Sequence, residues 1–384
     1  GEVPEKLLFP FQKDEYQKLH ANFLTASVRR IQPADKTILL DTSVSLPYDR
    51  LLIATGAQAL PLKIPGADLI GVHKLDHLSD ARALLSNAKR GRTALVTGGG
   101  ITALELAEGL AARKVHVHYI LRSERYWPNV LDEAESRIIE GRLVHEGIQL
   151  HHKSEVVEIL DKKGHVTGAR LADGSLLPCN FVAFAIGIAP RIRLAQEAGI
   201  TCERGILVDE FMQTNCPDIF AAGDVAQVFD PISGKYILDS LWMPAREQGR
   251  AAGHNMSGEK QPYRKPIAFN VTRLAGLTTT IIGAVGAGTD PDLHGIARGD
   301  SETWRQLPDA ILAQEGFEIN RLRLMLGEKH VLGAIVMGDQ KLSTSLQAIV
   351  RDKVDISPIH SALLAPNAPV ADILARFWSG YKVS

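Results

Sequence analysis

At 384 residues the chain exceeds what one hydrophobic core usually serves, so two or three domains are expected. With 45% apolar and 23% charged residues and a formal net charge of −1, it reads as an ordinary globular protein, and the lack of a field of one sign argues against nucleic acid or an anionic membrane surface as partner. No apolar stretch is long enough to span a bilayer and no leader segment opens the chain. Together with three scattered cysteines (Cys179, Cys202 and Cys216) that form no C-x-x-C pair, this sets the expectation of a cytoplasmic protein with idle thiols. His116 and His118 share one face of a strand and His151 and His152 adjoin, but no third ligand accompanies them, so no metal site is expected.

In chain order, Asp14–Phe23 has helical character, and Val28–Ile31 and Thr37–Leu40 pair as strands across a turn at Pro33–Lys36. Leu51–Ala54 is a short apolar strand that runs into Thr55-Gly56-Ala57. Pro61, Pro65 and Gly66 then mark a linker. Thr93–Thr97, Gly98-Gly99-Gly100, Ile101–Ala112 and Val115–Leu121 read as strand, turn, helix and second strand. A helix with Ala134, Ile138, Ile139 and Leu143 on one stripe follows, then strands around Val156–Ile159, Val166–Leu171 and Phe181–Ala185, with a hairpin turn at Ala172-Asp173-Gly174. Ile219–Ala222 is an apolar strand ending in Gly223-Asp224, Ala245–Met256 is a helix, and Pro262 and Pro266 punctuate a second linker. Beyond it, strands Leu322–Leu326 and Val331–Met337 turn at Gly327–His330. Helical stripes at Leu346, Ile349 and Val350 and at Val370, Ile373, Leu374 and Phe377 complete an α+β layer.

The turn Gly98-x-Gly100-x-x-Ala103, with a strand before it, a helix after it and a second strand where one is due, is the opening of a βαβ dinucleotide-binding unit. Gly98 permits the tight turn, Gly100 lets backbone approach a pyrophosphate, and Ala103 keeps helix and strand close. The unpaired N–H groups at the helix start favour phosphate. The carboxylate that usually ends the second strand and binds the 2′-hydroxyl of NAD is replaced by Leu121, followed by Arg122, Ser123 and Arg125. These arginines suit a 2′-phosphate, so NADPH is expected to serve at least as well as NADH; the alternative is a pair of solvated surface arginines. Glu105, one turn along the helix, lies where the nicotinamide end of the nucleotide could pass, unless it is simply a surface glutamate.

Five segments in register carry a resemblance: Tyr48–Ala57 (YDRLLIATGA), Thr93–Ala107 (TALVTGGGITALELA), Ala185–Pro190 (AIGIAP), Thr214–Val225 (TNCPDIFAAGDV) and Trp242–Gly258 (WMPAREQGRAAGHNMSG). The chain resembles the FAD-dependent pyridine nucleotide-disulfide oxidoreductases, in the flavour of NADH oxidases, rubredoxin or ferredoxin reductases and nitrite reductase flavoproteins. The resemblance implies an α/β fold of two Rossmann-like dinucleotide-binding domains plus a C-terminal α+β domain. The FAD-binding domain, incomplete and discontinuous, would take residues 1–85 and 206–260, the NAD(P)-binding domain 86–205, and the interface domain of a homodimer 261–384. It implies hydride transfer from NAD(P)H to FAD and electrons onward to a small redox protein, oxygen or a disulfide. Ala54, Thr55 and Gly56 would meet the FAD, Asp224 of the Gly223-Asp224-Val225 segment would accept hydrogen bonds from the ribityl chain, and Val28 would lie near the adenine. Trp242 and Gln248 match the segment beside the flavin ring, with a plain core tryptophan as the alternative for Trp242. Ile101 and Gly187 join Gly98, Gly100, Ala103, Glu105, Arg122 and Arg125 on the NAD(P) side.

The family opens with another strand–glycine turn–helix that anchors the FAD diphosphate, and no such turn lies upstream of Val28. Weak or absent FAD binding is therefore an open expectation. The competing reading is an NAD(P)-binding or assembly subunit that has lost flavin and turnover.

Overall fold

A computed structural model describes residues 3–9, 13–231, 234–286, 311–316 and 320–381. Its centre is a five-stranded, wholly parallel sheet in the order Val72–Lys74, Phe181–Phe184, Thr93–Thr97, His116–Ile120, Gln149–His151. Strand Thr93–Thr97 is buried on both faces, as parallel sheets require. Its Ala94 and Val96 enter one core with Ala103, Leu104, Ala107 and Leu110 of the helix Ile101–Ala112. Its Leu95 enters another, with Val156, Ile159, Val166 and Leu171. These last come from an antiparallel three-stranded meander, Val156–Lys162, His165–Leu171 and Leu176–Pro178, that covers the second face.

The helix Ile101–Ala112 forms because strong helix formers follow a turn of glycines, and its apolar residues fall on one stripe. The helix Glu133–His145 is started by a capping box in which Asp132 accepts from the Glu135 N–H and Glu135 accepts from the Asp132 N–H, each at 2.8 Å.

A second core is built around a parallel pair, Leu51–Ile53 and Ile219–Ala221, whose register sets Ile53 beside Ala221. The small sheet Val28–Gln32, Thr37–Leu40, Ser45–Pro47 lends Ile31 to this core, and the strands Ile206–Leu207 and Ala226–Asp230 lend Ile206, Ala226 and Val228. The C-terminal part is a five-stranded antiparallel sheet ordered Phe269–Leu274, Leu277–Gly283, Val331–Met337, Arg321–Leu326, Ile311–Gly316. Helices Ser343–Arg351 and Val370–Tyr381 bury the stripes Leu346, Ile349, Val350 and Val370, Leu374 against it. The other face joins the parallel-sheet half: Leu274, Leu277, Ile281 and Ile335 share a core with Leu104 and Leu110.

Two expectations are corrected. The first helix spans only Lys13–Lys18, and Phe23 stands exposed beyond it, because the segment from Leu19 onward buries no large apolar side chain. The helix expected at Ala245–Met256 begins earlier and runs Trp242–Ser257, since Pro244, second after Trp242, sits in the first turn where a missing N–H costs nothing. No helix among the described residues is long and apolar enough to cross a membrane, and none of their His, Cys, Asp and Glu side chains form a group of three that could hold a metal.

Candidate functional site

Parallel pairing of Leu51–Ile53 with Ile219–Ala221 delivers the loops that follow, Ala54-Thr55-Gly56 and Ala222-Gly223-Asp224, to the same end of adjacent strands. The Ala222 N–H donates to the Ile53 carbonyl at 3.1 Å, so the two loops start side by side. Gly56 and Gly223 both adopt left-handed backbone, at φ +64° and +79°.

Each loop is held by one buttressing side chain. Arg191 donates to the carbonyls of Thr55 (3.3 Å) and Ala57, its own N–H donates to the Gly56 carbonyl (2.9 Å), and the Thr55 hydroxyl donates to the Arg191 carbonyl (3.1 Å). Asp76 holds the far side of Arg191 at 3.3 Å. Burial would raise the Asp76 carboxyl, but hydrogen bonds from Lys74 and backbone outweigh it and leave it below the usual range. On the other loop, fully buried Gln248 accepts from the Gly223 N–H at 2.8 Å. Gln248 thus stands inside the helix Trp242–Ser257 as a brace beneath the turn.

Trp242, by contrast, opens that helix and is 72% exposed, with the Arg246 guanidinium 5.6 Å from its ring centre. The alternative of a core tryptophan is thereby excluded. Burial pushes the Asp224 carboxyl up, and no donor among the described residues is hydrogen-bonded to it. Val225 is buried in the core beneath, and Val28 begins its strand with an exposed side chain.

Backbone contacts lead from these loops to the glycine turn. Ala57–Ala59 pairs antiparallel with Ile188–Pro190, and the Leu60 N–H donates to the Gly187 carbonyl at 2.9 Å. The Ala185 N–H donates to the Thr97 carbonyl at 3.0 Å. Gly98, at φ +147°, lies under Ala185. A Cβ there would come 2.2 Å from the Ala185 carbonyl oxygen and 2.8 Å from the Ala103 methyl, so glycine at 98 and a small residue at 103 are both imposed by packing.

Gly100 caps the helix with no side-chain hydrogen bond to its first N–H groups, which stay free beside Ile101. The turn opens on a cleft of about 690 Å³ whose walls include Leu60–Ile64, Gly98, Leu121–Ser123, Arg125 and Glu155. Arg125 donates to the Pro128 carbonyl at 3.4 Å, while its Nη1 is buried without a partner. Arg122 is exposed, 3.7 Å from Glu155. Glu105 stands at the surface of its helix, packed closely enough that desolvation raises its carboxyl. A smaller cavity of about 300 Å³ on the C-terminal sheet, lined in part by Leu322, Met337, Leu342 and Ala371, contains none of the expected residues.

Residues 2–249 match the pyridine nucleotide-disulphide oxidoreductase family. The chain belongs to that family. It is 32% identical over 272 residues to the ferredoxin–NAD(+) reductase component of the biphenyl dioxygenase system of Paraburkholderia xenovorans (strain LB400), covering 70% of this chain and 64% of that one. It is 27% identical over 346 residues to nitrite reductase [NAD(P)H] of Bacillus subtilis (strain 168), covering 90% and 40%. The chain therefore spans less than two thirds of the length of these relatives. Among solved structures, a ferredoxin reductase from Rhodopseudomonas palustris superposes with a TM-score of 0.83 at 22% identity, over 98% of this chain and 87% of that one. An engineered water-forming NADPH oxidase bound to NADPH superposes with 0.80 at 21% identity, over 100% and 88%. Both share the fold of this chain.

Sequence reasoning missed Arg191, Asp76 and Glu155. Arg191 directly follows the quoted AIGIAP segment and could have been flagged by it. Asp76 and Glu155 carry no local signal, because only tertiary packing brings Asp76 to Arg191 and Glu155 to Arg122.

Proposed function

We propose that this chain is a cytoplasmic flavin-dependent reductase that takes hydride from NADPH or NADH and passes electrons to a small redox protein, assembled as a homodimer through its C-terminal sheet. The observation that carries this reading is the side-by-side placement of the Thr55 and Asp224 loops, joined through Gly187 and Ala185 to the Gly98 turn.

The residues at the paired loops fit the hydroxyl-bearing and ring portions of FAD. Asp224 is an acceptor without a donor, a match for ribityl hydroxyls. Nothing lies within 4 Å of where a Cβ on Gly56 would sit, which leaves room at the strand end, and Trp242 offers an exposed aromatic face. Bound FAD would accept hydride from a nicotinamide and release electrons singly to the acceptor. Arg191 and Gln248 keep the two loops in place, and Val28 is assigned to the adenine end.

On the nucleotide side, Gly98, Gly100 and Ile101 receive the diphosphate at the helix start, Ala103 sets helix–strand spacing, and Gly187 fixes the wall through Leu60. Glu105 serves the nicotinamide end. Arg122, Ser123 and Arg125 receive a 2′-phosphate, for which the buried, partnerless Nη1 of Arg125 is a ready donor.

A comparison supports NADPH. The engineered oxidase carries an Asp-to-Ala, an Ala-to-Arg and a Met-to-Ser change at three consecutive positions, and a Gly-to-Ala change eighteen residues earlier. This chain reads Leu121-Arg122-Ser123, with Ala103 eighteen residues earlier. The ferredoxin reductases among the relatives support a small iron–sulfur protein as acceptor.

The test is optical. The purified protein incubated with FAD and desalted should keep a flavin absorption envelope, and NADPH added without oxygen should bleach it. A protein that stays colourless yet binds NADP(H) would replace this reading with that of a nucleotide-binding subunit. Sedimentation velocity tests the dimer.

A further inference from the structure

The glycine turn's cleft contains one carboxylate that the reading above leaves without a role. Glu155 precedes the strand Val156–Lys162 and lines the cleft with Gly98 and Leu121–Ser123. Its place is set by backbone. The Lys153 N–H donates to the Ser123 carbonyl and the Ser154 N–H to the Leu121 carbonyl, both at 3.0 Å, while the Glu155 carbonyl accepts from the Ala172 N–H at 2.9 Å. These bonds hold Glu155 opposite the Leu121–Ser123 segment, and its Oε1 lies 3.7 Å from Arg122 Nη1.

That separation is an ion pair too long for a hydrogen bond. Both side chains are more than half exposed, so the attraction is weak and water-screened. Arg122 is therefore neither free nor committed. A phosphate dianion forms shorter, charge-assisted bonds with a guanidinium than this carboxylate does, and can take Arg122 from it. With no phosphate present, a carboxylate beside the same segment is an acceptor for a ribose hydroxyl.

We infer that Glu155, supplied from the segment leading into Val156–Lys162 where Leu121 follows the strand His116–Ile120, sets the balance between the two nicotinamide cofactors: it accepts a hydrogen bond from the 2′-hydroxyl of NADH and competes with the 2′-phosphate of NADPH for Arg122. This rests on the reading that the adenosine end of the nucleotide lies against Leu121–Arg125.

Calorimetric titration with 2′,5′-ADP and with 5′-AMP tests it without flavin or turnover. Glu155→Gln is expected to tighten 2′,5′-ADP about fivefold and to weaken 5′-AMP, as loss of an exposed carboxylate partner should. In an Arg122→Gln background the gain for 2′,5′-ADP should shrink, since the effect runs through Arg122. If Glu155→Gln leaves the ratio of the two affinities unchanged, or shifts both ligands alike, the inference is overturned while the nucleotide site stands. If neither ligand binds the parent protein, the site assignment falls, and the inference with it.

Discussion

Gly98 ends the middle strand of five, with helices packed on one face of that sheet and a β-meander on the other. Thr55 and Asp224 follow a sheet that, among the described residues, has two strands. Where the sheet is broad, packing alone fixes the turn, and the polar side chains around it (Arg122, Ser123 and Arg125) remain available to a ligand. Where the sheet is narrow, polar side chains are spent on the loops themselves: Arg191 on one, Gln248 on the other. The half built on the parallel sheet has a further support, a buried ionic contact to the C-terminal sheet. Arg323, 1% exposed, donates to Glu135 at 2.8 Å and to the carbonyls of Val130 and Val285 at 2.6 and 3.1 Å.

The largest expected effect comes from breaking that support. Arg323→Met takes from the buried Glu135 carboxylate its nearest cation, leaving the more distant Arg321 and the Asp132 N–H, and should cost about 3 kcal/mol in urea unfolding. A loss of less than half that size would mean that the apolar core shared by the two sheets, not the ion pair, anchors the parallel-sheet half.

The same substitution in the two turns sharpens the contrast. Gly98→Ala places a methyl against the Ala185 carbonyl in backbone that alanine avoids, and should cost roughly 2–3 kcal/mol and abolish nucleotide binding. Gly56→Ala meets open space and carries only the left-handed penalty, about 1–2 kcal/mol. Equal costs in denaturant melts would show that the broad sheet does not constrain its turn more tightly.

This contrast also explains what could be read from the chain alone. The Gly98–Ala103 turn was legible because the spacing that serves phosphate is the spacing that packing against Ala185 demands. The helical stripes through Leu346, Ile349 and Val350 and through Val370 and Leu374 were legible because one buried face imposes one period. The strands Phe269–Leu274 and Leu277–Gly283 were not, since threonines at 272, 278, 279 and 280 blur the apolar pattern, and Thr279 and Thr280 are nonetheless buried. The bond from the Gly223 N–H to Gln248 was not legible, because sequence order does not say which side of a helix faces a turn.

Acidity probes the loop half by itself. Burial raises the folded-state pKa of Asp224, so the folded chain binds this proton at a higher pH than the unfolded one does. Ionisation of Asp224 therefore weakens the fold as pH rises through its folded value, and the penalty is relieved as pH falls. Asp224→Asn should be more stable than the parent at neutral pH, with the gain shrinking on acidification, and should hold FAD less well. Urea midpoints at neutral and acid pH check the sign, and a gain that is the same at both would remove the carboxylate from the account.

The smallest expected effect on stability is the one most informative about function. Trp242 is 72% exposed and touches its own helix through Arg246, so Trp242→Ala should change the unfolding free energy by no more than about 0.5 kcal/mol. A large aromatic left in water at the start of a helix whose inner face braces the Gly223 turn gains nothing for the fold. If its place is beside a flavin or an incoming redox partner, Trp242→Ala should slow reduction of an iron–sulfur acceptor, or alter the flavin spectrum, while leaving the binding of NADP(H) in the other cleft untouched. A loss of nucleotide affinity instead would couple the two halves through this helix and undo the division drawn between them.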